Sequence, residues 1–600
     1  TFIESPWVIR ILLIYAMGAQ VRRNGHNHYM SHNWESQLRA RFGEDVDVRH
    51  IAARTAITAE LPMWIAPALS TALTAHGMST LWQHQHDALE AWNSQRNVIV
   101  ATGTASGKSL CYQIPILQSV CRNPKSKALY ISPTKALAHD QARALSEYEI
   151  DGAYICTFDG DSDQQERRWA REHANVLITN PDMIHHGMLP RHETWQHFFR
   201  NLEVIAIDEV HLYRGMFGAQ VANVLRRLLR IAQHYGSTPQ IVMASATVSQ
   251  PAMHAHMLTG QDFVEIDSDA SPRGPLTIGL TLPPKIIDDD ESPRRTAIAT
   301  TADVLADLVV QKTRTLAFVK SRKSAETVAI LAKQHVAEVA SNLPNTITSY
   351  RAGYLPEERR DIEARLRAGD LLGVATTNAL ELGVDISGLD ATIMAGWPGT
   401  RASFWQQVGR SGRDQQEALA VLIASDNPLD QYLVHHPESI YGTPIEAAVC
   451  DPQNPNVIFG HLACAAAEKY LVHDDLKNFG NTDQLLSVLE KLVSDGLLRK
   501  RPQGWFWVGE GRPHDLVDLR GAGAGPFQIV EGETGRLLGT VDHDAALRQV
   551  HEGAVYTHLG ETYVVDRLDL EDRVALVHSE LVDYSTYARD VTSVAIIEEL

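Results

Sequence analysis

A run of small residues, Gly103-Thr104-Ala105-Ser106-Gly107-Lys108-Ser109, follows the apolar stretch NVIVAT (from Asn97) and opens a segment of helical length. A strand, a loop of small residues and Lys-Ser at a helix start together make a cradle for a nucleotide polyphosphate. Backbone N–H groups of Thr104, Ala105, Ser106 and Gly107 face the phosphates, Lys108 reaches the β/γ oxygens, and the Ser109 hydroxyl serves Mg²⁺. The strict spacing G-x-x-x-x-G-K-[ST] puts glycine at 102, where this chain has Thr102. Such a loop works only at the C-terminal end of a buried parallel strand, so it restricts the fold to an α/β sheet.

The surrounding pattern agrees. ALYISP (from Ala128), ANVLITN (from Ala174), VIAIDE (from Val204) and QIVMASAT (from Gln240) are apolar runs without alternation, separated by amphipathic helical segments. That is the signature of parallel strands covered on both faces. The Pro- and Asp-rich stretch from Ser271 to Pro293 reads as a linker. The pattern resumes in TLAFVKS (from Thr315), LLGVATT (from Leu371), ATIMAGW (from Ala391) and EALAVLIAS (from Glu417), predicting a second α/β domain. Past Asp426 the alternation stops. An amphipathic helix from Gln484, then LLRKR and GWFWV, predicts helix, turn and β-wing, and the Gly-rich strands beyond Gly509 predict a small β-barrel. The expected organisation is 1–54 (a segment of unknown role), 55–280 (a RecA-like domain that binds the nucleotide), 281–430 (a second RecA-like domain), 431–509 (winged helix) and 510–600 (SH3-like β-barrel and tail).

At the end of VIAIDE stand Asp208-Glu209-Val210-His211. Two carboxylates at the sheet's C-terminal edge, beside a phosphate loop, suit one to hold Mg²⁺ and one to polarise an attacking water. Asp208 is expected in the first role and Glu209 in the second.

With these residues the chain resembles a superfamily 2 helicase of the DEAH/DExH type, and the motifs occur in order between Leu81 and Arg413. Gln85 matches the glutamine motif that reads adenine, with Trp82 beside it to stack on the base. Pro133-Thr134-Lys135 and Thr179-Asn180-Pro181-Asp182 match nucleic-acid motifs. Ser245-Ala246-Thr247 matches the motif that couples hydrolysis to strand handling. Thr377-Asn378 with Gly383 and Asp385 match the fifth motif, and Gln406 to Arg413 match Q-x-x-G-R-x-G-R. Lys108, Asp208, Glu209, His211, Gln406, Arg410 and Arg413 are the implied catalytic set. Arginines delivered from a second domain stabilise charge on the γ-phosphoryl group, and Arg410 and Arg413 share one face if their segment is helical. The segments from Asp426, Asp451 and Gly532 are similar to the bacterial mitomycin repair factor A helicases and their actinobacterial relatives, a family related to fungal RecQ-like helicases. The resemblance implies ATP and Mg²⁺ as cofactors, 3′→5′ polarity and a role in DNA repair. It also implies a C-terminal cysteine quartet for zinc, which does not occur up to Leu600; truncation and absence of that domain are both open.

The net charge of −19 excludes a wholly basic nucleic-acid coat. It leaves room for a strand gripped by backbone N–H groups and hydroxyls at Thr134, Asn180 and Thr377, with Pro133 in the same nucleic-acid-binding set, on the face opposite the ATP cleft, as the resemblance implies. Arg499-Lys500-Arg501 beside Trp505, Phe506 and Trp507 reads equally as a duplex-holding patch and as a solvated turn over buried aromatics. Five cysteines without a C-x-x-C pair argue for a reducing compartment, without disulfide partners or thiolate zinc. The paired histidines carry no familiar ligand spacing. Trp7 to Met17 is short for a span and contains Arg10, so neither a membrane segment nor a signal peptide is expected, and the expected location is the bacterial cytoplasm, at the nucleoid. Asp288 to Glu291 reads as an acidic linker. The reading is an ATP-dependent helicase acting on single-stranded and tailed duplex DNA; its rivals are an RNA helicase and an ATP-gated clamp that separates no strands.

Overall fold

The structure is a computed structural model and describes residues 33–160, 162–287, 292–381, 388–412, 417–520, 525–582, 584–586 and 588. Gly383, Asp385, Arg413, the run Asp288 to Glu291 and the stretch Trp7 to Met17 lie outside the described residues.

Two seven-stranded sheets form the centre of the molecule. The strands used below are β1 (Val46–Ile51), β2 (Val98–Ala101), β3 (Lys127–Ile131), β4 (Ile155–Thr157), β5 (Val176–Thr179), β6 (Leu202–Ile207), β7 (Gln240–Ser245) and β8 (Val264–Ile266). They continue with β9 (Leu276–Thr281), β10 (Thr315–Phe318), β11 (Ile347–Tyr350), β12 (Gly373–Thr376), β13 (Ala391–Ala395) and β14 (Ala418–Ile423). The first sheet runs β8-β2-β7-β6-β3-β5-β4 and is parallel throughout. Every residue of β2, β3 and β5 is buried, which explains their unbroken apolar sequences: helices cover both faces.

The second sheet runs β1-β9-β14-β13-β10-β12-β11, parallel except for β1. One expectation changes here. Leu276–Thr281, read as linker, is a fully buried strand, because LTIGLT packs on β14 in register from Leu276↔Ala418 to Thr281↔Ile423. The second sheet therefore begins before residue 281. Residues 33–54, given no role by the sequence, pack on this domain: helix Trp34–Phe42 buries Trp34, Leu38 and Phe42 against it, and β1 adds its antiparallel edge. Only an edge strand has pairing capacity left for a segment so distant in sequence.

Beyond the sheets, helices Pro455–Glu468 and Thr482–Ser494 precede a hairpin of Leu498–Arg501 and Gly504–Trp507, the helix–helix–wing order expected. The region expected to be a small barrel is a five-stranded sheet of residues 527–579. Each module docks on a different motor domain. Three arginines of helix Gly215–His234, in the first domain, reach into the winged helix. Arg226 donates to Phe479 O at 2.8 Å, and Arg230 to Ala465 O and to Asp475, each at 2.9 Å. Arg227 makes a fully buried ion pair with Glu468. Neutral histidines complete its shell, with Arg227 Nη1 3.0 Å from both His185 Nδ1 and His461 Nδ1. The five-stranded sheet docks on the second domain, where buried Arg351 bonds Glu326 at 3.0 Å, Tyr556 OH at 3.0 Å and Thr557 O at 2.9 Å. Among the described residues no helix is long and apolar enough to cross a membrane.

Arg227→Met leaves Glu468 buried without its cation, a defect of about 3–5 kcal/mol. Limited proteolysis is expected to show new cleavage around the winged helix in this variant and none in wild type. Burial raises the Glu468 carboxyl, but Arg227 and His514 outweigh it and hold the group down at about 2. Its stabilising share is thus present at neutral pH and is lost as pH falls from the ordinary carboxyl range toward 2.

Candidate nucleotide and nucleic-acid site

Strand order places the motifs along one edge. Because β2, β7, β6, β3 and β5 are neighbours and parallel, their C-terminal loops emerge side by side. These loops carry, in spatial order, Gly103 to Ser109, Ser245 to Thr247, Asp208 to His211, Ser132 to Thr134, and Asn180 to Asp182. Nucleotide residues therefore sit at one end of the edge, strand-binding candidates at the other, and the acid pair between them.

At the nucleotide end the loop is held from below. His84 Nε2 bonds Ser106 O at 2.8 Å, and Gln85 donates to Gly107 O at 2.9 Å. The other end of the Gln85 amide accepts the Trp82 N–H at 2.9 Å, so both ends of this amide bind protein. Gly107 has φ +63°, and a Cβ there would stand 2.6 Å from the Trp82 ring and from Gln85. Gln85 and Trp82 thus stand directly against the phosphate loop. Ala105 also adopts a left-handed backbone, φ +58°, which turns the loop around its centre. Lys108 Nζ donates to Thr102 O at 3.0 Å and Gly103 O at 2.6 Å, and burial pushes its pKa down. An ammonium held by loop carbonyls and, at 3.5 Å, by the Ser106 hydroxyl is ready to exchange them for phosphate oxygens.

Asp208 is buried and clamped, and Glu209 beside it is part-buried. Asp208 Oδ2 accepts from Tyr112 OH at 2.8 Å and Tyr130 OH at 2.9 Å, and Oδ1 accepts from the Glu209 N–H at 2.8 Å. Burial and the neighbouring Glu209 nevertheless push the Asp208 carboxyl up to about 6. Burial also raises Glu209, opposed by Lys108 and Arg410, and Glu209 sits in the left-handed region at φ 51°. Two adjacent buried carboxyls of raised pKa suit a hard cation, and the oxygen donors Asp208 and Ser109 have the right chemistry for one that keeps most of its water.

The second domain meets this pair directly. His211 Nδ1 lies 3.4 Å from Glu209 Oε2 and 3.3 Å from the Ala246 N–H, while its Nε2 is 2.5 Å from the Gln406 amide. Burial pushes the His211 pKa down to about 3, so it stays neutral at working pH. Gly409 packs on the Thr104 hydroxyl so closely that any side chain at 409 would collide with it. Arg410 is not helical: helix Arg401–Val408 ends before it, with Gly409 at the C-cap. The Arg410 guanidinium instead donates to Glu381 O, from Nε at 3.0 Å, near enough to Glu209 to oppose its raised pKa. Glu381 in turn accepts from Ser403 at 2.5 Å and Gln407 at 2.8 Å.

At the other end, Thr134 caps helix Lys135–Glu147 by accepting the Leu137 N–H at 3.4 Å, and Asn180 accepts the Met183 N–H at 2.9 Å. Thr377, at the end of β12, accepts the Ala379 N–H at 3.4 Å. Their side chains shape turns, so these turns present backbone N–H groups as much as hydroxyls. Pro133 is buried at the head of its turn. Ser245 Oγ is buried with no hydrogen-bond partner among the described residues, and Thr247 is exposed. On the wing, Arg499, Lys500 and Arg501 are exposed, the last two over ring faces, the geometry of the solvated-turn reading. Lys500 lies 5.4 Å over buried Trp505, and Arg501 lies 5.4 Å over Phe506, which stacks on Tyr470.

Sequence reasoning missed Tyr112, Tyr130, His84 and Glu381. Tyr130 carried a signal: a phenol inside the apolar strand KALYI needs a buried partner. Glu381 carried none, because its role depends on residues of a later helix.

Residues 82–255 match the DEAD/DEAH box helicase family, 300–415 the helicase conserved C-terminal domain, and 450–522 the winged helix domain of the ATP-dependent helicase HRQ1. The chain is 38% identical over 562 residues to the uncharacterized ATP-dependent helicase YprA of Bacillus subtilis, covering 92% of this chain and 74% of YprA. It is 36% identical to the ATP-dependent helicase HRQ1 of Saccharomyces cerevisiae over 86% of this chain, but spans only 49% of that protein. The crystal structure of the DUF1998 helicase MrfA bound to DNA and AMPPNP superposes with TM-score 0.87 at 37% identity, covering 94% of this chain and 79% of MrfA.

If Asp208 binds the cation, it must be ionised. Cation-dependent nucleotide binding, followed with a fluorescent nucleotide, is then expected to weaken as pH falls, starting above the ordinary carboxyl range. Tyr112→Phe removes a hydrogen bond that lowers this pKa, so its loss of binding should begin at higher pH than in wild type; a shift to lower pH would count against Asp208 as ligand.

Proposed function

The chain belongs to the ATP-dependent superfamily 2 helicases of the MrfA, YprA and Hrq1 type, and we propose that it translocates 3′→5′ along one DNA strand and displaces the other in DNA repair. The observation that carries this reading is the contact chain Glu209–His211–Gln406, which joins the acid pair of one sheet to the arginine motif of the other. Through it, a change at the γ-phosphate alters the fit between domains, and the strand-facing turns of the two domains move relative to each other.

In this reading Thr104, Ala105, Ser106 and Gly107 cradle ATP, Lys108 neutralises its β/γ oxygens, and Ser109 and Asp208 hold Mg²⁺. The ion supplies charge neutralisation of the polyphosphate. Glu209 orients the attacking water, while Arg410 and Arg413 offset charge on the transferring group. Ser245, Ala246 and Thr247 lie beside the acid pair, and Ala246 already contacts His211, which suits them to relay the nucleotide state. Gly383 and Asp385 are assigned to the nucleotide side from the motif match. Pro133, Thr134, Asn180 and Thr377 grip the sugar–phosphate backbone without reading bases. Arg499, Lys500 and Arg501 meet the duplex at the fork. The substrates are single-stranded and tailed duplex DNA, and the setting is the bacterial cytoplasm at the nucleoid.

Glu209→Gln is expected to abolish turnover and leave ATP binding intact; near-normal turnover would sink the assignment. Arg413→Ala should cost about 10³ in rate, the scale of an arginine finger. A loss of only a few-fold would hand that role to Arg410. Duplexes with 3′ or 5′ tails, in DNA and RNA, test the rest. Unwinding only of 3′-tailed DNA is expected. Unwinding of RNA duplexes favours an RNA helicase, and stimulated ATPase without strand separation favours a clamp.

A further inference from the structure

Arg520 lies outside every motif considered so far, in the segment that follows the wing. Its guanidinium nevertheless sits on the strand-facing end of the first sheet. Nη2 is 2.8 Å and Nε 3.1 Å from Asp182 Oδ2, with Nε 3.3 Å from Oδ1. Nη2 also donates to Pro133 O at 3.3 Å, and the guanidinium lies 5.0 Å over the Phe217 ring. Pro133 and Asp182 belong to the loops after β3 and β5, which are adjacent and in register at Ile131↔Thr179. One arginine thus spans the two turns that carry Thr134 and Asn180.

The charge arrangement indicates why. Asp182 is 34% exposed and Arg520 47%, so the pair is worth little as a surface ion pair. But a bare carboxylate beside Thr134 and Asn180 would repel the phosphates that these turns are assigned to hold. We propose that Arg520 is a positioning residue of the strand track: it cancels Asp182 and lets the DNA backbone approach. The winged-helix segment thereby completes a binding surface built mostly by the first motor domain. The inference rests on the track assignment made under Proposed function.

Binding of a fluorescent oligo-dT to the whole chain tests it. Arg520→Ala should raise the DNA Kd about tenfold at about 50 mM salt. The defect should fade toward 0.5 M salt, where the screening length falls well below its value of about 10 Å at 0.1 M. ATPase kcat at saturating DNA should stay within about twofold. The double variant Arg520→Ala/Asp182→Asn should recover to within about threefold of wild type, and Arg520→Lys should bind nearly as wild type. A defect that persists in high salt, or that Asp182→Asn does not relieve, overturns the proposal and makes Arg520 a structural tie between loops. Thr134→Val and Asn180→Ala separate the layers. If these leave Kd unchanged, the track assignment fails; if they weaken binding while Arg520→Ala does not, only the Arg520 inference fails.

Discussion

Burial of two adjacent carboxylates is the constraint on which the centre of this molecule turns. Asp208 and Glu209 follow a buried strand as chain neighbours, Asp208 buried and Glu209 part-buried, so little solvent separates their charges. Tyrosine hydroxyls offset part of the cost at Asp208, and Lys108 and Arg410 offset part at Glu209. Those two cations come from different sheets, so the electrostatics of one carboxylate depends on how the two domains meet. A motor needs that dependence, because the energy of a local charge then changes with domain separation.

The remainder of the chain is distributed around the same division. The winged helix is tied to the first domain by arginines of one helix, and the five-stranded sheet to the second domain through Arg351 and Glu326. Both ties bury full charges in pairs with further hydrogen bonds, an arrangement that tolerates no removal of one partner. Each accessory module is therefore tied to one motor domain. Between them runs the segment carrying Arg520, which touches the loops assigned to the nucleic-acid strand.

Much of this could be read from residue order. The phosphate loop, the acid pair and the apolar strands of both sheets stand where the sequence places them, since each depends on contacts within a strand–loop–helix unit. Strands β4 and β11 escaped notice because ICT and ITSY are too short and too polar to stand out. Leu276–Thr281 was hidden by the prolines around it. Whether Arg410 is helical was open in the sequence; Gly409 ends the helix against Thr104, a contact between domains.

The sequence by itself determined the chemistry: a phosphate cradle, a carboxylate pair, arginines from a second α/β unit and a family of relatives. These follow from local spacing, which chain geometry preserves whatever lies around it. Only the tertiary structure decided how the pieces are joined. That Gln85 braces the phosphate loop, that His211 meets Gln406, that Glu381 holds Arg410, and that Arg520 covers Asp182 are pairings across distances in sequence that no local pattern encodes. Packing selects them, because burial leaves each of these polar groups only the partner that the fold brings within reach.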